Sequence, residues 1–286
     1  RLQADYLIIS DTGMYSKRHP TLTYATRGIV GLEVRVDGPA RDLHSGVFGG
    51  SVANPAMVLA RLLSGCVDEA GHIRIRGFYD GVRPIAPWER RAWRQIGFNE
   101  ARFRRALGAP QLSGERGYST LERLWARPTF EINGLTSGYQ GPGGKTIVPA
   151  RASAKITCRI VPDQDPPQVL RAVMQHLRAL CPNSVRLTLR GDACAPFFTA
   201  PNGPGARAAR AALETAFGHP AVCTREGGTL PILSVFQRHL GAEILLVGLG
   251  LPDDNWHSPN EKFDLENFYN GTALSVDLLR RLGQIS

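Results

Sequence analysis

Apolar and polar residues alternate strictly along two stretches of the chain. Val30, Leu32, Val34 and Val36 are spaced by Gly31, Glu33 and Arg35, and Ala152, Ala154, Ile156, Cys158 and Ile160 keep the same period. A period of two puts one set of side chains on one face, so each stretch predicts a half-buried strand. His72–Phe78, with Ile73 and Ile75 on one face, predicts another, as do Thr129–Asn133 and the run Val185, Leu187, Leu189. Between them the period lengthens. Asn54 precedes Pro55 and a helical run closed by Gly65, and Asp165-Pro166-Pro167 opens a helix whose Val169, Val173, His176, Leu177 and Leu180 share a face. A polar cap followed by proline at the first helical position is a start signal. Residues 84–127 have another texture: charged, helical, anchored by Trp88, Trp93, Phe98, Phe103 and Leu107, with a Ser119-x-x-Glu122 capping box opening the last short helix. Set aside as an insertion, they leave β-α-β-β-α-β from Ile29 to Gly191, the ferredoxin-like split unit.

The flanks follow a different rule. Asp5 to Asp11 is a strand ending in a carboxylate, and Thr23 to Gly28 reads as a crossing into the next unit. Beyond Pro201 come a helix at 204–217, a strand at 221–223, a helix at 230–240, a strand at 244–247 and a closing amphipathic helix at 265–282. Such α/β alternation builds a mainly parallel sheet. Residues 1–27 and 198–286 are therefore expected to be two parts of one α/β domain. Residues 28–197 form an inserted ferredoxin-like α+β lid, itself carrying the helical insertion at 84–127. The chain opens without methionine and almost at once on a strand, which predicts further residues upstream.

Composition narrows the classes. At 286 residues the chain can bury two cores, and 43% hydrophobic with 21% charged residues excludes a disordered chain. Apolar runs such as Ile244–Leu251 fall far short of the roughly 20 residues that span a bilayer, so no membrane partner is expected. The net charge of +9 is mostly arginine, densest over Arg83–Arg127. That patch has neither interleaved stacking aromatics nor a nucleic-acid motif, so it reads as solvated helix faces with no nucleic-acid partner. Cys66, Cys158, Cys181, Cys194 and Cys223 are odd in number and contain no C-x-x-C. They predict free thiols in a reducing, cytoplasmic setting rather than a zinc ribbon or a disulfide framework.

Few residues are left to carry chemistry. Gly138 to Thr146 looks like a phosphate loop, but Tyr139 stands where a glycine is needed, and Ile147-Val148-Pro149 leads into a strand, not a helix. No Gly-x-Ser-x-Gly elbow is present. Asp11 and His257 remain, each at a strand end of the α/β domain, where open α/β sheets keep their sites. A carboxylate and an imidazole are a partial ligand set for zinc or manganese; a loop histidine bonded to a carbonyl is the plainer alternative. Two ligands do not hold a catalytic metal. Ser258-Pro259-Asn260-Glu261, directly after His257, predicts a helix start.

Six motifs then occur in order: Ser10-Asp11 with Thr23–Gly28 (TYATRG), Asp42–Gly50 (DLHSGVFGG), Gly134–Pro149 (GLTSGYQGPGGKTIVP), Ala154–Pro162 (AKITCRIVP), Arg225–Pro231 (REGGTLP) and His257–Lys262 (HSPNEK). Together they resemble the carnosinase-type dipeptidases, part of the co-catalytic metallopeptidase family that includes aminoacylases and glutamate carboxypeptidase. The resemblance is weakest over Pro84–Arg127 and Val185–Gly205. It implies two divalent metals, zinc or manganese, about 3.5–4 Å apart around an activated water, and hydrolysis of an amide bond. The substrate implied is a small dipeptide or N-acyl amino acid with a free carboxylate.

Residue by residue, the resemblance makes Asp11 and His257 terminal ligands, one for each metal. His44 becomes the lid histidine that reaches across a homodimer and polarises the scissile carbonyl, an oxyanion role. Thr146 is a second cross-dimer contact, Arg159 grips the substrate carboxylate, and Gly227 and Gly228 offer backbone contacts. The family's His-x-Asp pair, bridging aspartate and Glu-Glu pair, which supply the remaining ligands and the general base, do not occur here. The chain is therefore expected to be an N-terminally truncated portion, inactive alone and binding metal poorly. The alternative is a non-catalytic dimerisation or binding module that has lost its metal site. Ala195 stands before Pro196 where the carnosinase branch has histidine, and Gly228 where it has serine, which leaves the substrate open.

Overall fold

The computed structural model describes residues 3–285. The chain runs β1 (Tyr6–Ile9), β2 (Thr21–Thr26), β3 (Gly28–Asp37), β4 (Leu43–His44), α1 (Ser45–Phe48) and α2 (Pro55–Ser64). Three helices follow, α3 (Pro87–Gln95), α4 (Glu100–Ala106) and α5 (Thr120–Ala126), then β5 (Thr129–Ser137), β6 (Ile147–Val148), β7 (Arg151–Ile160), α6 (Pro166–Leu180) and β8 (Arg186–Cys194). The last part is β9 (Phe197–Phe198), α7 (Pro204–Phe217), β10 (Val222–Glu226), α8 (Pro231–Leu240), β11 (Glu243–Val247) and α9 (Leu265–Leu282).

The two alternating stretches pair as β3 and β7, antiparallel from Gly28 opposite Ile160 to Asp37 opposite Arg151. With β5 and β8 they form a four-stranded sheet in the order β5-β7-β3-β8, every neighbour antiparallel, which is the order of the ferredoxin-like unit. Val30, Val34, Val36, Ile156 and Ile160 bury their face against Leu59 and Leu62 of α2 and Val173 and Leu177 of α6. Truncating one of these, such as Leu177→Ala, would cost about 2–5 kcal/mol. Asn54 caps α2 by accepting from the Ala56 N–H at 2.9 Å, with Pro55 at the first helical position.

Residues 72–78 correct the sequence reading. Ile73, Ile75 and Phe78 are buried in this same core, but the segment makes a single bridge, Val67 to Ile73, and no strand. Its alternation reflects packing without pairing. Phe78 N–H turns back to the Ile75 carbonyl, and Gly77 takes a left-handed φ of 78° that extended backbone does not tolerate. β5 is the second strand of the split unit.

The other sheet has the order β1-β11-β2-β10, with β9 also on β2. It is partly parallel: β1 with β11 and β10 with β2 are parallel pairs, joined through an antiparallel contact between β11 and β2. The crossing at Thr23–Gly28 is itself largely strand. All six residues of β2 are buried, so no alternation marks it. Leu245 and Val247 face α7 and α9, while Ile244 and Leu246 face α8 through Leu233. Gly241, at φ 66°, closes α8 and turns the chain into β11.

In the helical insertion Trp93 is the anchor, packed with Ile96, Leu121 and Ala126. Trp88 and Leu107, expected to anchor it too, are 40% and 60% exposed. The capping box of α5 forms: Ser119 N–H donates to Glu122 at 2.7 Å, and Glu122 N–H to the Ser119 hydroxyl at 3.4 Å. Among the described residues no helix is long and apolar enough to cross a membrane.

Candidate active site

Asp11 and His257 lie on loops that leave the carboxyl ends of neighbouring parallel strands, β1 and β11. The two loops are zipped together beyond the strands. Gly13 bridges Gly250 in parallel, and Met14 N–H donates to the Gly250 carbonyl at 2.7 Å. The Trp256 indole covers both glycines: a Cβ on Gly13 would stand 2.5 Å from its Cη2, and one on Gly250 2.3 Å from its Cζ2. Gly248 is equally tight against the Thr12 carbonyl, leaving a Cβ only 1.7 Å of room. The glycines thus let two backbones and an aromatic ring close into one unit that carries both candidate ligands.

The histidine loop is bent by its own polar residues. Asn255, His257 and Asn260 all take left-handed backbone, at φ 57°, 59° and 60°. Asn tolerates this region and histidine pays more strain there. Asp254 holds the loop: fully buried, it accepts from Leu251 N–H at 2.6 Å and from the Lys262 ammonium at 2.9 Å. The helix expected from Ser258 does not form. Asn260 in left-handed backbone breaks the first turn, and the clamp from Lys262 to Asp254 closes the segment as a loop. The helix starts instead at Leu265, where the Asp264 carboxylate accepts from Asn267 N–H at 3.2 Å.

A second group gathers at the junction of the two sheets. Arg159, near the end of β7, donates through Nη1 to the Thr229 hydroxyl at 2.7 Å, and that hydroxyl donates to the Arg27 carbonyl at 2.8 Å. Arg27 Nε donates to the Gly227 carbonyl at 3.0 Å, and Arg27 N–H to the Glu226 carbonyl at 3.2 Å. Gly228 is the exposed residue of this turn. Burial pushes the Arg27 guanidinium down to about 10, and the like charge of Arg159 adds to the effect.

Glu226, at the end of β10, is a residue that sequence reasoning passed over. Burial pushes its carboxyl up to about 7, and the negative charge of Asp11 pushes the same way. That through-space repulsion links the junction group to the Asp11 loop. The only sequence signal was its place between a short strand and Gly227-Gly228.

His44 and Thr146 sit elsewhere: His44 lies opposite Ile147 on the ribbon made by β4 and β6, and Thr146 immediately precedes β6. Ser45 N–H donates to the Thr146 carbonyl at 2.9 Å, and both side-chain positions are exposed. The ribbon joins the lid sheet at its Asp37 and Arg151 end, where Gly38 N–H donates to the Ala150 carbonyl at 2.9 Å and Ala150 N–H to Asp42 at 2.9 Å. Arg151 and Arg159 are eight residues apart on one extended strand, roughly 26 Å at about 3.3 Å per residue. Within one chain, then, His44 and Thr146 are at the opposite end of the lid from Arg159. Among the described residues no three His, Cys, Asp or Glu side chains come together as a metal-binding set. Asp11 and His257 alone fall short of the three or more protein ligands a catalytic metal takes, so this chain by itself does not fit a two-metal centre.

Comparison with known proteins places the whole chain. A family model for the peptidase dimerisation domain matches residues 24–185. The Cys-Gly metallodipeptidase DUG1 of Saccharomyces cerevisiae is 34% identical over 272 residues, 93% of this chain and 56% of that protein. The Beta-Ala-His dipeptidase of Mus musculus is 33% identical over 276 residues, 94% of this chain and 56% of that one. The crystal structure of human carnosine dipeptidase 1 superposes with a TM-score of 0.82 at 31% identity, covering 98% of this chain and 60% of that chain. An M20 family metallo-carboxypeptidase from Sulfolobus solfataricus gives a TM-score of 0.87 at 29% identity, with 98% and 64% covered. The chain thus spans less than two thirds of the length of each of these relatives. With the dimerisation-domain match covering more than half of its residues, the chain belongs to the M20 metallopeptidase family.

Proposed function

We propose that the complete protein is a metal-dependent amidohydrolase that acts on a dipeptide or N-acyl amino acid with a free carboxylate, working as a homodimer through its lid. Relatives named for Cys-Gly and Beta-Ala-His dipeptides support a substrate of that size. In this reading Asp11 and His257 each give one ligand to a pair of divalent ions, zinc or manganese, and the other ligands and the general base come from polypeptide outside this chain. The chain alone is then expected to be inactive. Its own contribution is to hold and polarise the substrate.

The observation that carries the reading is that the His44 ribbon joins the lid at the Arg151 end of β7, roughly 26 Å along that strand from Arg159. A substrate gripped by Arg159 and Gly227-Gly228 beside Asp11 is out of reach of His44 in the same chain, so His44 and Thr146 serve the site of a second copy. His44 is prepared for that role. Its Nδ1 accepts from Gly46 N–H at 3.0 Å, which leaves the proton of the neutral ring on Nε2, free to donate to a developing oxyanion. Arg159 spends one nitrogen on Thr229 and keeps the rest of its fork for a carboxylate.

Mixing two inactive variants of the complete protein tests this. In a heterodimer of His44→Ala and Arg159→Ala subunits, one site combines an intact Arg159 with an intact His44 from the partner. Hydrolysis of Cys-Gly or β-alanyl-histidine should reappear on mixing under subunit exchange. No recovery, in a mixture shown to contain heterodimer, would place His44 in its own subunit's site. A complete, metal-loaded protein that leaves dipeptides and N-acyl amino acids intact would favour a binding module.

A further inference from the structure

A second cavity, of about 840 Å³, lies away from the site described above, between the start of the helical insertion, β9, α7 and β10. Arg225 and Glu226 are successive residues of β10, so their side chains point to opposite faces; the cavity is on the Arg225 face. Its volume is in the range of small-molecule sites.

Four guanidinium groups line it: Arg18, Arg83, Arg210 and Arg225. Two are matched. Arg225 pairs with Glu89 at 2.5 Å, and Arg83 forks onto Asp163 at 2.6 and 3.0 Å while lying 4.2 Å over the Phe198 ring. Arg18 and Arg210 make no ion pair among the described residues. Arg210 Nε is buried with no hydrogen-bond partner among the described residues. The buried Nε is itself out of a ligand's reach, but Arg210 lines the cavity, and an anion there would give the rest of its guanidinium an acceptor. Trp88 and Phe198 give the same cavity an aromatic wall.

We propose that this cavity binds a small organic anion, its planar apolar body against Trp88 and Phe198 and its carboxylate or phosphate head on Arg210 and Arg18. The site is independent of the amidohydrolase reading, because it uses none of those residues.

The 286-residue chain can be titrated with 8-anilinonaphthalene-1-sulfonate, a planar ring system bearing one anionic group. A saturable one-site fluorescence rise is expected. Arg210→Gln should weaken it about tenfold, as loss of a charge-assisted hydrogen bond does, with the thermal midpoint of the ligand-free chain not lowered. Arg18→Gln, at an exposed side chain, should weaken it too and guards against misfolding of the first variant. The uncharged analogue N-phenyl-1-naphthylamine should bind at least tenfold more weakly. Displacement by benzoate assigns a carboxylate head and displacement by phenyl phosphate a phosphate head. Equal binding of the uncharged analogue, or unchanged binding in both folded arginine variants, overturns the proposal.

Discussion

Glu89 of α3 and Arg225 of β10, 136 residues apart, form an ion pair with 2.5 Å between Oε1 and Nη2, both side chains almost wholly buried. The Tyr24 hydroxyl donates to the same carboxylate oxygen. Burial pushes that hydroxyl far above its usual range, so it remains a donor. The second Glu89 oxygen accepts from Ala86 N–H at 2.7 Å at the start of its own helix. One carboxylate thus caps the start of a helix, satisfies a guanidinium and ties the insertion to the sheet that carries the candidate ligands.

Removing one partner leaves the other charged and buried. Glu89→Ala is expected to cost about 3–5 kcal/mol in urea unfolding, whereas Glu89→Leu combined with Arg225→Met should cost far less than the two single changes summed. A loss below about 1 kcal/mol for Glu89→Ala would mean that the pair does not hold the insertion in place.

Trp256 and Gly250 make a purely steric prediction, because Gly250 has no left-handed backbone to protect. A methyl group at 250 meets the indole at 2.3 Å. Gly250→Ala should destabilise the chain by about 1–3 kcal/mol, and adding Trp256→Ala should recover much of the loss. Thermal unfolding of the two variants decides it. Additive losses would show that the ring does not seal the two loops.

How much of this was legible depended on how local each cause was. The helices at 204–217 and 265–282 match α7 and α9 because proline or an aspartate cap starts them and glycine follows. β3 and β7 could be read because only one of their faces is buried. β2 was hidden by the reverse, since burial on both faces erases alternation. Residues 72–78 showed the period of a strand for want of any way to tell core packing from pairing. For the candidate site, motif order nominated Asp11, His44, Thr146, Arg159 and His257 but not their distances. Glu226 is set beside Thr26 and near Asp11, about two hundred residues away in sequence, and Glu89 looks like any acid in a charged helix.

Glu226 gives a pH-dependent prediction for the metal-free chain. Its folded pKa of about 7 exceeds the ordinary 4.5, so the folded state holds the proton more tightly. The stability this brings is complete below about pH 4.5 and lost as pH rises through 7. Relative to Glu226→Gln, the wild-type chain in EDTA should lose on the order of 1–3 kcal/mol between pH 4.5 and 8. Parallel stability curves for the two proteins would show that Glu226 is hydrated and stands clear of Asp11.

His44 offers the sharpest separation of roles. It caps α1 through Nδ1, lies on an exposed ribbon and stands apart from the candidate ligands Asp11 and His257. A residue that only stabilises an oxyanion in the partner's site should affect turnover and leave metal binding alone. In the complete protein His44→Ala is expected to lower kcat about 10²–10³-fold, the usual effect of deleting an oxyanion donor, with metal content per subunit unchanged by elemental analysis. Loss of the Nδ1 contact removes a cap from a four-residue turn, so His44→Asn, which can still accept from Gly46 N–H, controls for loop collapse. Full turnover in His44→Asn would assign the histidine to capping. Metal lost in step with activity would assign it to the centre itself, and either result would remove the cross-subunit role.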